Sequence, residues 1–194
     1  MKSLFHFLFA IVLLSACSLV AVAQTPAADA KQFTKDGLSF SYPKAWTLED
    51  ASNADAQQLN LSRADSEAHV RVFVYRTPVN TPERLAEARK VLVDPYVAST
   101  VRQFQQMGAK PEKSVASTEI ATLAAEGVRI SASLDGIPGA AEIYWGVVGQ
   151  RLVVLTMLGP DKALKEASPV WDAIRTSLAV ADEKSGLTPV PKTN

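Results

Sequence analysis

The chain has 194 residues, of which 47% are hydrophobic and 21% charged, and its 20 basic and 20 acidic side chains cancel. This composition is typical of a globular domain with its own core, and the balanced charge lacks the basic footprint of a nucleic-acid-binding protein. One cysteine and two histidines are too few for a disulfide framework or a histidine/cysteine zinc site, so neither a metal nor a cofactor is predicted.

The first 23 residues predict a signal peptide for export. Lys2 precedes a long apolar run, and this run ends in Ala-Val-Ala, which puts small residues at the positions read by signal peptidase. We therefore predict cleavage between Ala23 and Gln24. The expected product is a periplasmic or secreted protein.

Lipidation is the alternative fate of this segment. Leu14-Ser15-Ala16-Cys17 fits a lipobox, in which the cysteine carries the lipid and becomes residue one. The apolar run continues beyond Cys17, however, where a cysteine behaves as a small hydrophobe, so cleavage after Ala23 is preferred. An uncleaved signal anchor is a third option. A membrane association is predicted only through the lipid on Cys17.

The rest of the chain predicts one domain with flanking segments. Residues 24–31 are small and polar, which is typical of a flexible spacer, and residues 181–194 combine charges with glycine and prolines, as disordered tails do. The folded unit is therefore expected over 32–180.

The first half of this unit predicts strands followed by a helix. Asp36-Gly37 is a favoured hairpin turn inside 32–42, and further strands are expected over 57–62 and 68–75. The last strand has three valines on one face and a mixed set on the other, which indicates a sheet partly covered on both sides. That mixed set is His69, Arg71, Phe73 and Tyr75.

Helices are predicted after Thr81-Pro82 and after Pro160. Threonine at the cap followed by proline is a helix start, Asp94-Pro95 should break or restart this helix, and Gly108 should end it. Strands are expected over 114–123, 126–134, 141–148 and 151–158, with a loop at 135–139 and a tight turn at Gly149-Gln150. Ser168-Pro169 should cap the last helix. Strands and helices in this order predict an α+β fold with an antiparallel sheet.

One segment carries a family resemblance. Residues 33–46, FTKDGLSFSYPKAW, resemble the opening of PsbP-like proteins, in which F-x-x-x-G-[small apolar]-x-F-x-x-P-x-x-W recurs. This superfamily includes the photosystem II extrinsic subunit, a Ran-binding import factor and DcrB-type bacterial envelope proteins. The loop at 135–139 and the segment 144–178 are also similar. The resemblance implies an α/β/α sandwich around an antiparallel sheet, but no catalytic residues to transfer.

Few residues are candidates for chemistry. His69 is the one histidine outside the signal, and an exposed or packing role is preferred to a catalytic one. Glu119, Glu126 and Glu142 fall on neighbouring predicted strands and could supply a carboxylate pair. The three tryptophans, at positions 46, 145 and 171, are expected mainly in the core.

Two functions remain open. The first is a non-catalytic binding or accessory module of the bacterial envelope, which holds another protein or a small apolar ligand. The second is an envelope hydrolase that uses a carboxylate pair. The first is preferred because the residue types of most catalytic sites are missing.

Overall fold

The computed structural model describes residues 29–181. Its strands are β1 Ala30–Lys35, β2 Leu38–Pro43, β3 Thr47–Asp50, β4 Ala56–Ser62, β5 His69–Pro78, β6 Glu112–Ile120, β7 Leu123–Leu134, β8 Ile137–Val148, β9 Arg151–Pro160 and β10 Ala179–Val180. Its helices are α1 Pro82–Ala88, a π-helical turn Arg89–Val93 (the π segment), α2 Asp94–Gln106, α3 Asp161–Glu166 and α4 Ser168–Ser177.

Seven strands form one antiparallel sheet in the order β3-β4-β5-β9-β8-β7-β6, and β1-β2-β10 form a small second sheet. The predicted hairpin turns are confirmed. Asp36 and Gly37 have φ of 47° and 78°, and Gly149 and Gln150 have φ of 53° and 59°. Two successive positive φ values match the right-handed twist of the paired strands, which is why these short turns close the hairpins.

Each face of the large sheet has its own core. On one face, the helical segment 82–106 packs on β7, β8 and β9 through Val93 and Val97 against Ile143 and Trp145. On the other face, α3, α4 and the β1–β2 hairpin cover the valines of β5. The chain is therefore an α+β protein with the predicted α/β/α layering, and the small sheet shares one outer layer with α3 and α4.

Several predicted boundaries are wrong. Strand β1 begins at Ala30, two residues inside the predicted spacer, and β3 was not predicted. The loop expected at 135–139 is a two-residue turn, because Asp135 and Gly136 both have positive φ and β8 begins directly after them. The strand expected over 114–123 turns at Ala121-Thr122, where both residues also have positive φ.

Of the two predicted helix caps, the one at Thr81 is confirmed and the one at Ser168 is wrong. The hydroxyl of Thr81 accepts a hydrogen bond from the backbone N–H of Arg84, as a helix cap should. Ser168 does not cap α4. Its hydroxyl donates to the carbonyl oxygen of Lys165 in α3, since the chain already has helical dihedral angles at Ala167 and α3 leads directly into α4. No helix within residues 29–181 has the length and apolar character needed to cross a membrane.

Candidate functional site

The helical segment 82–106 covers only part of its sheet face and leaves a groove beside it. The wall of this groove is formed by Leu92 and Tyr96, both half-buried. Its floor is formed by side chains of β4, β5 and β9, of which Val154 and Thr156 are buried, and the cavity measures about 410 Å³. That volume lies within the range of small-molecule sites. We call this cavity the groove.

The register of the sheet arranges the floor in two cross-strand rows. Gln58, Phe73 and Val154 are direct partners across β4, β5 and β9. Asn60, Arg71 and Thr156 form the next row. Direct partners in an antiparallel sheet project from the same face, so apolar and polar side chains share this floor, with amide groups on β4 and apolar groups towards the helix.

The π segment sets the wall of the groove. Pro95 has no N–H, and the wider π turn directly before it is closed by a bond from the Asp94 N–H to the carbonyl of Arg89. The extra residue of a π turn changes which side chains face the sheet. Leu92 and Tyr96, four residues apart, line the groove, whereas Val93 and Val97 are buried in the core below. The helical path therefore continues through Asp94-Pro95, where the π turn ends and α2 begins.

Arg71 is the charged side chain of the floor. It is exposed and forms no hydrogen bond or ion pair with any residue of 29–181. By contrast, most other arginines of the described region are held by carboxylates. These are Arg63, Arg76, Arg89, Arg129 and Arg175. The guanidinium of Arg71 therefore keeps all of its donors available at the edge of an apolar cavity.

His69 lies on the same sheet face as Arg71, one row further along. It is exposed, as predicted, and has no hydrogen-bond or ion-pair partner within the described residues. No group of three histidine, cysteine, aspartate or glutamate side chains in residues 29–181 is arranged to hold a metal ion.

The structure does not bring the three candidate carboxylates together. Glu126 is the direct partner of Trp145, and Glu142 lies three residues before Trp145 along β8, so the two glutamates project from opposite faces of the sheet. Glu119 is exposed on β6 and is the direct partner of Ala124, so it projects from the same face as Glu126. Glu126 is also exposed, and its carboxylate accepts a hydrogen bond of 2.8 Å from Arg89. A carboxylate pair that includes Glu142 is therefore ruled out by strand alternation.

Glu142 instead belongs to a polar cluster that no motif in the sequence indicated. Arg129, its direct partner on β7, donates to Glu142 and also to Asp161 at the start of α3, at 2.9 Å. The ring of Tyr144 packs against that of Trp171, with centroids 5.7 Å apart and planes tilted by 45°. Its burial, together with the charge of Glu142, raises the pKa of the phenol. These contacts join the sheet to α3 and α4, which is a structural role.

All three tryptophans are buried, as predicted, and none lines the groove. Trp145 lies under the guanidinium of Arg89, which is 5.2 Å from the ring centroid. The guanidinium of Arg63 lies over the ring of Trp46 in the same way, 5.9 Å from its centroid. The predicted processing residues Cys17, Ala23 and Gln24 lie outside the described residues.

No protein-family model matches the chain, and no curated protein matches it significantly. Several solved structures, however, are similar to it. Cyanobacterial PsbP (CyanoP) of Synechocystis sp. PCC 6803 is 15% identical, with 86% of this chain and 98% of that chain covered and a TM-score of 0.52. A protein of Bacteroides thetaiotaomicron gives 11% identity and a TM-score of 0.53, with 80% of this chain covering 50% of that chain.

A third similar structure is LpqN of Mycobacterium tuberculosis, described as involved in cell envelope biogenesis. It is 10% identical, covers 78% of this chain and 90% of its own, and has a TM-score of 0.43, too low to support an argument. The first two similarities establish the fold. The chain has a PsbP-like fold, as the segment 33–46 indicated, and fold alone does not assign an activity.

Proposed function

We propose that this protein is an exported, non-catalytic binding module and that the groove is its binding site. The groove carries the proposal, because it combines apolar side chains of the wall and the floor with a few polar groups of the floor, which is the usual make-up of a ligand site. The PsbP-like fold is compatible with this role. A carboxylate-pair hydrolase is not proposed, since Glu142 lies on the opposite sheet face from Glu126 and the carboxylate of Glu126 is itself paired with Arg89.

Export is the second part of the proposal and rests on residues 1–23. The lysine, the apolar run and the small residues before Gln24 support removal of a signal peptide. The intact mass of the protein from its native envelope tests this. A chain that begins at Gln24 is expected. A diacylglyceryl group on Cys17 would replace secretion by lipid anchoring, and an unprocessed chain would contradict cleavage.

The groove is tested with N-phenyl-1-naphthylamine, a neutral probe that fluoresces in apolar surroundings. We expect a saturable fluorescence increase that Leu92→Gln weakens about fivefold, because a half-buried leucine contributes about 1 kcal/mol to apolar contacts. Val115→Gln is the matched control, since Val115 is 93% exposed on β6 at the far edge of the sheet. Equal effects of the two substitutions, or no saturable binding, would contradict the proposal.

A further inference from the structure

The chemistry of the groove restricts what it can bind. Its apolar part is formed by Phe73, Val154, Leu92 and Tyr96, and its charge is that of Arg71, flanked by Asn60. A guanidinium without a protein partner pairs best with a carboxylate, which it can bind through two parallel hydrogen bonds. Charge complementarity therefore favours an anionic group at Arg71 and an apolar body beside it.

The backbone of the groove favours a ligand with few polar groups. Strands β4, β5 and β9 lie inside the seven-stranded sheet, so their N–H and C=O groups are already paired with neighbouring strands. The wall is helical, and its backbone bonds are internal as well. A peptide in the groove would find no backbone partners for its own amides, and burying them unpaired is costly. An acyl chain has no such groups.

Resting on the proposed function, we propose that the groove binds an acyl carboxylate. Its head group pairs with Arg71, and its chain lies along Phe73 and Val154 beneath Leu92 and Tyr96. Glu49, the direct partner of Asn60 on β3, extends this row by a second charged residue. It is two strands from Arg71, about 10 Å across the sheet, so the carboxylate sits nearer to the guanidinium than to this like charge.

Calorimetric titration with decanoate and with decanol tests the proposal, because the two differ only in the head group. We expect decanoate to bind at least about tenfold more tightly, the effect of a charge-assisted hydrogen bond. Arg71→Gln should remove this difference and leave decanol binding unchanged. Arg102→Gln is the matched control, because it removes the same charge from a residue that is exposed on α2 and lies on the side of this helix away from the groove.

Two further measurements complete the test. Leu92→Gln should weaken decanoate and decanol alike, and affinity from hexanoate to decanoate should rise by up to about fourfold per methylene. Equal affinity for decanoate and decanol, or an equal effect of Arg71→Gln and Arg102→Gln, would overturn the carboxylate proposal while the groove remains an apolar site. Failure of both ligands and of the naphthylamine probe would overturn the groove as a binding site.

Discussion

Replacing Gly127 by alanine tests how tightly the sheet packs on the α4 side. A Cβ at this position would lie 2.7 Å from the carbonyl oxygen of Ile143 and 2.9 Å from Cε1 of Tyr144. Contacts below 3.0 Å force a shift, and one of these atoms belongs to the backbone of β8. Overpacking typically lowers the free energy of unfolding by about 1–3 kcal/mol. Replacing glycine by alanine also reduces the conformational freedom of the unfolded chain, which raises that free energy by about 0.4–1 kcal/mol. Because one of these contacts is to a backbone atom, the upper end of the overpacking range applies, and we expect a net loss of about 2 kcal/mol.

Gly146→Ala is the matched control, because Gly146 lies in the neighbouring strand. Its added Cβ would be 3.5 Å from the nearest atom, an ordinary contact, so this variant should be neutral or slightly stabilised. Urea denaturation of both variants gives the comparison. In a Tyr144→Leu background, Gly127→Ala should cost about 1 kcal/mol less, since part of the clash is with the ring. Equal costs at the two glycines, or no coupling to Tyr144, would refute this account.

Three other substitutions test separate features. Thr81→Ala removes the cap of α1 and should cost about 1 kcal/mol in urea denaturation; Thr81→Ser, which keeps the hydroxyl, should cost clearly less. Ile174→Ala creates a cavity where α4 packs on the sheet, because Ile174 is fully buried, and should cost about 2–5 kcal/mol; a cost below about 1 kcal/mol would contradict this packing. The hydrogen bonds from Lys35 and Ser52 lower the pKa of Asp50 from 3.8 to about 2, so they stabilise the fold above pH about 4 and lose this effect as pH falls towards 2. Asp50→Asn should therefore lower the thermal midpoint at neutral pH but not near pH 2, and an equal difference at both pH values would contradict the assignment.

The proposed binding surface was only partly predictable from the sequence. The alternation of β5 placed Arg71 and Phe73 on one mixed face, which indicated a partly covered sheet. How much of this face is covered depends on the path of the helical segment 82–106 across the sheet, and that path depends on the π segment. A π turn is set by local hydrogen bonding around Pro95 together with tertiary packing, so no periodicity in the sequence announces it.

The sequence by itself determined the local structure. Alternating apolar residues, the turns at Asp36-Gly37 and Gly149-Gln150 and the cap at Thr81 are local signals, because they depend on backbone preferences of a few neighbouring residues. It also carried the PsbP-like resemblance. Short elements without such signals, namely β3 and the Ala121-Thr122 turn, were missed because sheet pairing decides them.

Only the tertiary structure decided which charged side chains have partners. Strand alternation and register placed Glu142 beside Arg129, which also binds Asp161, and on the opposite sheet face from Glu126. The same register left Arg71 without a carboxylate partner within the described residues, beside the apolar wall of the groove. Ion pairing depends on distances of a few ångströms between residues far apart in sequence, and those distances exist only once the sheet and the helices are assembled.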